Sequence, residues 1–484
     1  MTPLARPVLT VALASLTCAC ASTAARQAPA SPGEPAAQEA PTAAQQAPTA
    51  APFQIPVDYY KLDNGLRVVL SRDTTAPKVV VGVYYNIGFR IEPRDRTGFA
   101  HLFEHLMFQG SENLGKMEFI RLVQSNGGVL NGSTRFDFTN YFEIVPSHTL
   151  ETVLWAEADR MRGLDITEEN LENQKGVVTN EVLVNVINQP YGGFPWLDLP
   201  QHANTNWYNA HNFYGELEDL QAATLEDARS FFETYYAPNN AALVVVGNFD
   251  PEQTRRWIEQ YFADIPAAPP AEMPDISEPR QTEEKRASRT DEKATRPALA
   301  LGYHAPPRNT PEYFAFGVLN EILTQGRDSR LYQALVQERG LTGDVSGGIN
   351  LLGNMFNING PTLMTIYLFH DQNVEADSIV AVIDEVIDEL MTTPLSQEEL
   401  DEALVQVRSA LYDEVESMFG FGRADLLASF ALFDDDPSRI NRLEEEFRSV
   451  TPELLQRTAQ EYLRPTNRTI LTIEPGAAPG QEGQ

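Results

Sequence analysis

The stretch TLEDARSFFETYYAPNNAALVVVG, residues 224–247, contains the signals of one helix followed by one strand. Thr224 stands at the position of a helix N-cap, the residues after it have helical spacing, Pro238 ends the helix, and the apolar run that follows predicts a strand. The stretch TPELLQRTAQEYLRPTNRTILTI, residues 451–473, has the same signals in the same order. Pro465 follows its threonine at the same distance as Pro238 does, which indicates that one helix-to-strand unit occurs twice.

The beginnings of the two halves also match. GFAHLFEHLMFQG at 98–110 aligns with FAFGVLNEILTQG at 314–326, and both end in Gln-Gly. Self-similarity over so long a period is the signature of a duplicated structural unit. We therefore predict an α+β fold with two homologous domains, each an antiparallel or mixed sheet flanked by helices.

Three stretches predict the strands of the first half. YYKLDNGLRVVLSRD at 59–73 contains an Asn-Gly pair between alternating residues, which is a strong hairpin signal. KVVVGVYYNIG at 78–88 has the apolar run of a buried strand, and GGVLNGSTRFDFTNYFEIVP at 127–146 alternates as a strand, a turn and a second strand.

Composition marks the borders of these domains. The chain has 484 residues, which at roughly 100–200 residues per domain suits two to four domains. Residues 22–52 contain no large apolar residue, and a Pro-rich, then charged, stretch separates the halves. The predicted segments are an export signal (1–21), a flexible tether (22–52), a first domain (53–265), a linker (266–296), a second domain (297–475) and a flexible tail (476–484).

The N-terminus, MTPLARPVLTVALASLTCACAS, predicts export. Arg6 precedes an apolar run that is too short to span a bilayer, and small residues follow. Cys20 after Ala19 matches a bacterial lipid-modification site, while Thr17 departs from that pattern, so lipidation and plain cleavage both stay open. We expect a periplasmic protein whose only membrane attachment would be a lipid on Cys20.

Net charge argues against nucleic-acid and anionic-lipid partners, and cysteine content argues against disulfides and thiolate metal sites. The formal net charge is −32, and such a surface repels nucleic acid and anionic lipid headgroups. Both cysteines, Cys18 and Cys20, lie in the N-terminal segment. The rest of the chain therefore has neither a disulfide framework nor a thiolate metal site.

The segment HLFEHLMFQG, residues 101–110, contains the candidate metal ligands and the candidate catalytic residue. His101 and His105 are four residues apart and share one face of a helix, so both imidazoles can bind one ion. Neutral imidazole suits Zn²⁺. Glu104 lies on nearly the same face and can act on water without being a ligand. The pattern is H-x-x-E-H, the inverse of H-E-x-x-H.

The second copy of the repeat lacks these side chains. In the repeat register their positions are held by Gly317, Asn320 and Glu321. Both copies share the same packing requirements, so packing alone does not explain the histidines of the first copy.

A catalytic site of this type needs a third protein ligand and one open position. Glu181, within ENQKGVVTNEVLVNVINQPYG at 172–192, is the candidate because residues 167–186 have helical spacing. From spacing alone, a solvated helix carboxylate remains the alternative.

From about residue 53 to residue 475 the sequence resembles the insulinase/pitrilysin family of zinc metallopeptidases, the inverzincins. Members carry H-x-x-E-H and then a glutamate ligand in an NE or RE context, which the stretch VVTNEV provides as Glu181. The family strand GG-x-x-N-[AG]-x-T-x-x-D-x-T-x-Y appears at 127–141. The chain looks most similar to the bacterial single-chain form of two domains.

The resemblance implies metal-assisted hydrolysis of peptide bonds. One zinc ion per chain would be bound by His101, His105 and Glu181, and it would activate water and polarise the scissile carbonyl. Glu104 would take a proton from the water and pass it to the leaving amine. Zinc is inferred from the ligand type, and Mn²⁺ or Co²⁺ would suit the same ligands.

The resemblance also implies how a substrate is held. In the family, the strand near the metal pairs with the substrate backbone, which makes Asn131, Gly132 and Thr134 the expected substrate-binding residues. The two halves of family members close like a clamshell around a chamber that admits unfolded peptides. The Trp- and Asn-rich segment at 196–214 either lines this chamber or forms a surface loop.

The sequence departs from the family pattern at two places. Many relatives have a second glutamate seven residues before the ligand, which helps to orient the ligands; here that position is Gln174, and Glu172 is the residue that could compensate. Active relatives also supply an Arg and a Tyr from the C-terminal half. In LVQERGLTGDVSGG at 335–348, Val336 and Gly343 hold those positions unless the alignment is displaced, and neither side chain can stabilise an oxyanion.

We therefore predict a secreted zinc-dependent endopeptidase or oligopeptidase that hydrolyses unfolded peptides and needs a partner subunit for the missing Arg and Tyr. The expected assembly is a heterodimer with a non-catalytic homologue, and a homodimer is the alternative. The alternative function is a weakly active or inactive zinc-binding family member that serves as a periplasmic scaffold or peptide-binding protein.

Overall fold

The computed structural model describes residues 54–476, all of which belong to one compact unit. The predicted export signal, the tether, Cys20 and nearly all of the predicted tail lie outside the described residues. Within 54–476, no helix combines the length and the apolar character that crossing a bilayer requires.

The strands of the described chain are β1 (Asp58–Lys61), β2 (Arg67–Arg72), β3 (Lys78–Tyr85), β4 (Val129–Thr134), β5 (Thr139–Pro146), β6 (Ala241–Gly247), β7 (Lys285–Asp291), β8 (Ala298–His304), β9 (Ser346–Ile349), β10 (Leu363–Phe369) and β11 (Arg468–Pro475).

The α-helices are α1 (Phe99–Leu106), α2 (Glu118–Ser125), α3 (Leu150–Arg162), α4 (Glu168–Val182), α5 (Asp198–Ala203), α6 (Trp207–Ala210), α7 (Leu217–Ala222), α8 (Leu225–Tyr235), α9 (Pro251–Phe262), α10 (Pro311–Thr324), α11 (Arg330–Tyr332), α12 (Ala376–Thr392), α13 (Gln397–Glu416), α14 (Phe421–Phe433), α15 (Leu443–Arg448) and α16 (Pro452–Tyr462). Helix α4 continues as a π-helix at Leu183–Ile187, and α11 continues as a π-helix at Gln333–Glu338.

The two sheets share a topology of five strands, to which the first sheet adds β1 at one edge, and this confirms the predicted fold class of two similar α+β halves. The first sheet has the order β1-β2-β6-β3-β5-β4 and the second has the order β7-β11-β8-β10-β9. Each sheet has one parallel pair, β2 with β6 inside the first sheet and β7 with β11 at the edge of the second, and the remaining pairs are antiparallel. Strand β7 is therefore the counterpart of β2, and β9 is the counterpart of β4.

The repeated helix-to-strand unit folds as its sequence predicts. The Thr224 side chain accepts a hydrogen bond from the Asp227 backbone, and Asp227 returns one, so the N-terminus of α8 is closed by a capping box. In the second copy, Thr451 caps α16 by accepting from the backbone N–H of Leu454. Each helix ends just before its proline, and β6 or β11 then enters the centre of its sheet.

The structure corrects the prediction that residues 266–296 are a linker. Residues Lys285–Asp291 form β7, an edge strand of the second sheet. Earlier in the same stretch, Glu278 accepts hydrogen bonds from the backbone N–H groups of Thr205 and Asn206, which ties the stretch to the first half. The strand is highly charged because its outer edge is unpaired within the described chain, and charged residues protect such edges.

Each half covers the outer face of the other half's sheet with a helix. Helix α14 packs on β2, β3 and β6, where Phe421 stacks on Phe142 with ring centroids 3.9 Å apart. Helix α5 packs on β8 and β11 through Leu199 and Ala203. The halves therefore share a core, and any clamshell-like opening between them would have to separate it.

Buried polar groups also join the halves. The Tyr84 hydroxyl of the first sheet donates to Asp425 on α14 over 2.9 Å. Asp137 pairs with Arg90 over 2.6 Å and accepts hydrogen bonds from the backbone N–H groups of Asn359 and Gly360 in the second half. Because these groups are buried, breaking any one of them leaves an unsatisfied partner.

We expect Phe138→Ala to destabilise both halves together. The ring is fully buried between Tyr84 of its own half and Phe433 of the other, so its truncation should lower the free energy of unfolding by about 3–5 kcal/mol. Tryptophan fluorescence, which reports on the first half because Trp155, Trp196, Trp207 and Trp257 all lie there, should give the same urea midpoint as circular dichroism. Val405→Ala, at an exposed position, is the control; separate midpoints for the two probes would contradict the shared core.

Candidate metal centre

Helix α1 is held so that one face enters the core and the other faces the site. Phe99, Leu102 and Phe103 are buried in the core of the first half. At the N-terminus of the helix, the buried Glu92 carboxylate accepts hydrogen bonds from the backbone N–H groups of Gly98 (2.9 Å) and Ala100 (2.6 Å). Burial of Glu92, followed by the opposing effect of these two donors, leaves its pKa raised to about 8.

Helix α4 packs against α1 and brings Glu181 to the two histidines. Glu181 Oε1 lies 3.6 Å from His101 Nε2, and Glu181 Oε2 lies 3.3 Å from His105 Nε2. One potential ligand atom from each of the three residues lies within 4.8 Å of the others. The structure thus brings together the three ligands that the sequence predicts.

The group fits a tetrahedrally coordinated ion. Ligand atoms about 2.0–2.1 Å from Zn²⁺ in tetrahedral geometry are separated by about 3.3 Å, and each histidine nitrogen lies at a similar distance, 3.6 or 3.3 Å, from one of the two Glu181 oxygens. The donors are two imidazoles and one carboxylate, the set typical of catalytic zinc sites with an open position. Glu181 keeps 32% of its side chain exposed, so the open position can be reached from solvent.

The three side chains also interact electrostatically. Hydrogen bonds with His101 and His105 hold the pKa of Glu181 well below its usual value. Burial alone would lower the pKa of His105, but its hydrogen bond and charge interaction with Glu181 outweigh burial and raise that pKa. A negative carboxylate between two imidazoles is the charge arrangement that attracts a divalent cation.

Glu104 belongs to the site but is not one of the three ligands. Its carboxylate accepts a hydrogen bond of 2.7 Å from the Thr134 hydroxyl on β4. A Cβ at Gly132 would lie 3.1 Å from Glu104 Cγ, so a larger residue there would crowd this carboxylate. Glu104 is therefore positioned by the strand that the sequence predicts to bind substrate.

The structure gives the three expected substrate-binding residues different roles. Strand β4 is the last strand of its sheet, so its outer edge is unpaired within the described chain. Asn131 is exposed on this strand, and its side chain accepts from the N–H of Gly132. Thr134 is buried and its hydroxyl donates to Glu104, so this side chain is engaged within the site rather than exposed on the strand edge.

The two residues expected to orient the ligands lie in different surroundings. Gln174 is buried, its side-chain amide donates to Asn173 Oδ1 over 2.9 Å, and it is close enough to His105 to contribute to the raised pKa of that imidazole. Glu172 instead pairs with Lys175 over 2.6 Å and is largely exposed. It has no hydrogen bond to His101, His105 or Glu181 within the described chain, so the expectation that it compensates for Gln174 is corrected.

The positions where the family resemblance leads us to expect an Arg and a Tyr hold no polar side chain. Val336 is half-buried in the π-helix at Gln333–Glu338. Gly343 is exposed, with no atom within 4 Å of where a Cβ would be. The nearby Arg339 pairs with Glu385. Neither Val336 nor Gly343 therefore offers a side-chain hydrogen-bond donor.

Tyr214 is a site residue that the sequence analysis did not single out. Its ring lies edge-on to the His101 ring, with centroids 5.3 Å apart, and 5.4 Å from Trp196. Burial, then the charges of Glu181 and Glu104, raise the pKa of its hydroxyl to about 12. The Trp- and Asn-rich composition of 196–214 was the available signal, and the structure shows that the end of this segment lines the site.

Comparison with known families matches both halves of the chain. Residues 67–191 match the family described as insulinase (peptidase family M16), and residues 222–407 match the family described as the peptidase M16 inactive domain. The chain belongs to the insulinase (M16) family.

Several relatives of this M16 chain are named as proteases. Zinc protease PqqE of Helicobacter pylori is 26% identical over 422 residues, which cover 86% of this chain and 92% of the relative. YmxG of Bacillus subtilis, named an uncharacterized zinc protease, is 24% identical over 365 residues, which cover 74% of this chain and 84% of the relative.

Solved M16 structures share the fold. A protease from Helicobacter pylori superposes with a TM-score of 0.78 at 25% identity and covers 87% of this chain and 100% of its own. A peptidase M16 inactive domain from Pseudomonas fluorescens superposes with a TM-score of 0.75 at 18% identity and covers 88% of this chain and 99% of its own. The second likeness concerns the fold alone.

We expect Glu181→Gln to abolish stable zinc binding, because a neutral amide replaces the carboxylate between the two imidazoles. The loss of affinity should exceed the roughly 10–100-fold that follows from loss of an outer partner. Glu172→Gln makes the same chemical change on the same helix, away from the ligands, and should leave zinc affinity unchanged. Zinc content by mass spectrometry and titration against a competing chelator measures both. Equal zinc binding by the two variants would contradict the assignment of Glu181.

Proposed function

We propose that this M16 chain is a zinc-dependent peptidase that hydrolyses unfolded peptides. The observation that carries the proposal is the grouping of His101, His105 and Glu181 with Glu104, which Thr134 holds beside them. The names of the relatives as zinc proteases support the choice of metal and of reaction.

The proposed mechanism assigns each side chain one task. His101, His105 and Glu181 would hold the ion, which when bound supplies Lewis-acid activation of water and of the scissile carbonyl. The Glu104 carboxylate, oriented by the Thr134 hydroxyl, takes a proton from the attacking water. It then delivers that proton to the amine nitrogen as the C–N bond breaks.

The unpaired edge of β4 is the proposed binding site for the backbone of a peptide. An extended peptide can add to the unpaired outer edge of β4 through backbone hydrogen bonds, which do not depend on its sequence. Glu104 is bonded to the same strand, so a peptide on this edge would lie beside the base. A folded protein offers no such free segment, which favours unfolded peptides as substrates.

The location and assembly of the protein belong to the same proposal. An exported, periplasmic protein, with or without a lipid on Cys20, agrees with the signal-like N-terminal sequence. A partner subunit that supplies an Arg and a Tyr would provide what Val336 and Gly343 do not. The expected partner is a homologue of similar size without H-x-x-E-H, and the alternative is a second copy of this chain.

Glu104→Gln should leave zinc content unchanged and reduce peptide cleavage by about 10²–10⁴-fold, because an amide cannot accept the water proton. Digestion of a mixture of flexible peptides, followed by mass spectrometry, measures the loss. Glu112→Gln, at an exposed position outside the site, should cleave like the wild type. Cleavage by Glu104→Gln at the wild-type rate would rule out this mechanism.

The purified chain alone should cleave weakly if the missing donors come from a partner. Light scattering gives its oligomeric state, and kcat/KM for a flexible peptide gives its activity under the same conditions. A monomer with kcat/KM in the ordinary enzyme range of about 10⁴–10⁸ M⁻¹s⁻¹ would refute the need for a partner. A zinc-loaded chain that binds peptides without cleaving them in any assembly would favour a scaffold or peptide-binding protein.

A further inference from the structure

The loop that carries Tyr214 is locked to the start of helix α1. Gly98 and Gly215 both have positive φ (85° and 80°), and a Cβ on Gly215 would lie 2.4 Å from the Gly98 nitrogen. The Glu216 N–H donates to the Thr97 hydroxyl over 2.9 Å. This close backbone approach fixes Tyr214 relative to the helix that bears His101.

Further contacts fix the direction of the Tyr214 ring. Its backbone N–H donates to Asn212 Oδ1 over 3.2 Å, and the Asn212 amide donates to the Gly215 carbonyl over 3.0 Å. The ring is held among His101, Trp196 and Phe89, with centroid distances of 5.3, 5.4 and 6.2 Å. A half-buried phenol held by three rings has little freedom to turn away from the site.

The Tyr214 hydroxyl has no hydrogen-bond partner among residues 54–476, although other tyrosines around the site do. Tyr141, for example, donates to the Phe103 carbonyl and contacts the Tyr236 hydroxyl. The polar end of Tyr214 is therefore free to donate to a molecule bound beside His101. A structural role in packing would need only the ring and would leave this hydroxyl unused.

We propose that Tyr214 is a catalytic residue that donates a hydrogen bond to the oxygen of the scissile carbonyl as that oxygen becomes negative. This inference rests on the proposed peptidase function and deepens it. The donor comes from the chain's own first half, whereas Val336 and Gly343 provide none. A hydrogen bond that strengthens as charge develops accelerates the reaction, because it favours the transition state over the bound substrate.

Hydrolysis of the peptide bond in this way needs no reactant other than one water molecule. Water oxygen forms a bond to the carbonyl carbon, Glu104 takes one water proton, and the carbonyl π electrons move to the oxygen that accepts from Tyr214. When this oxyanion collapses, the C–N bond breaks and the nitrogen receives the proton from Glu104. Tyr214 keeps its proton throughout, and the products are a carboxylic acid and an amine.

Tyr214→Phe isolates the hydroxyl because the ring and its contacts stay. We expect kcat to fall by about 10²-fold with little change in KM, and zinc content to stay at the wild-type level. A phosphinic peptide, whose tetrahedral phosphinate resembles the transition state, should bind the zinc-loaded variant more weakly by a similar factor. The matching substrate peptide, measured in a Glu104→Gln background, should bind equally well with Tyr214 or Phe at position 214.

Tyr235→Phe is the matched control, since this half-buried tyrosine also has no hydroxyl partner within the described chain but lies on α8, away from the ligands. A loss of about tenfold or more in both kcat and phosphinate affinity, confined to Tyr214→Phe, supports the proposal. Smaller changes overturn it, provided that the wild type cleaves peptides and binds the phosphinate. A zinc-loaded wild type that does neither overturns the proposed peptidase function itself, and the role of Tyr214 with it.

Discussion

The two-sided packing of helix α1 is the constraint on which the rest of the site depends. One face of this helix must bury Phe99, Leu102 and Phe103, so the opposite face presents His101 and His105 at a fixed position. Glu92 holds the N-terminus of the helix through two backbone N–H groups. Once α1 is fixed, the ligand on α4, the strand β4 and the loop of Tyr214 each need only pack against it to complete the site.

Because the fold is duplicated, the first half can contain the metal-binding side chains while the second half retains only the fold. Apart from the extra strand β1, both sheets have the same strand order and the same parallel pair, so the second copy retains the packing without the two histidines. The described chain contains one group of His, Cys, Asp or Glu side chains able to hold a metal ion, and it lies in the first half. The second half contributes α14 and the groups that bind Asp137, and it thereby stabilises the sheet that carries the site.

Much of this architecture could be predicted from the sequence because its signals are local. Thr224, Pro238 and the Asn64-Gly65 turn act through short-range geometry, and the spacing of His101 and His105 acts within one helix. Strand β7 was missed because its edge position selects charged residues, which hide the alternation of a strand. The exchange of α5 and α14 between the halves depends on contacts between distant residues, and no local pattern encodes it.

The same distinction holds within the site. Gln174 lies on the same face of α4 as Glu181, because residues seven apart on a helix share a face, whereas Glu172 pairs with Lys175. Tyr214 could not be placed from its spacing, since its position over His101 depends on the close approach of two glycine-containing loops.

The central claim is that His101, His105 and Glu181 hold one zinc ion beside Glu104. Anomalous diffraction at the zinc absorption edge from crystals of the metal-loaded protein tests it most directly. We expect one peak per chain, about 2.0–2.2 Å from His101 Nε2, His105 Nε2 and a Glu181 oxygen, with Glu104 outside the ligand sphere. A peak at other residues, or no peak in protein that retains activity, would contradict it.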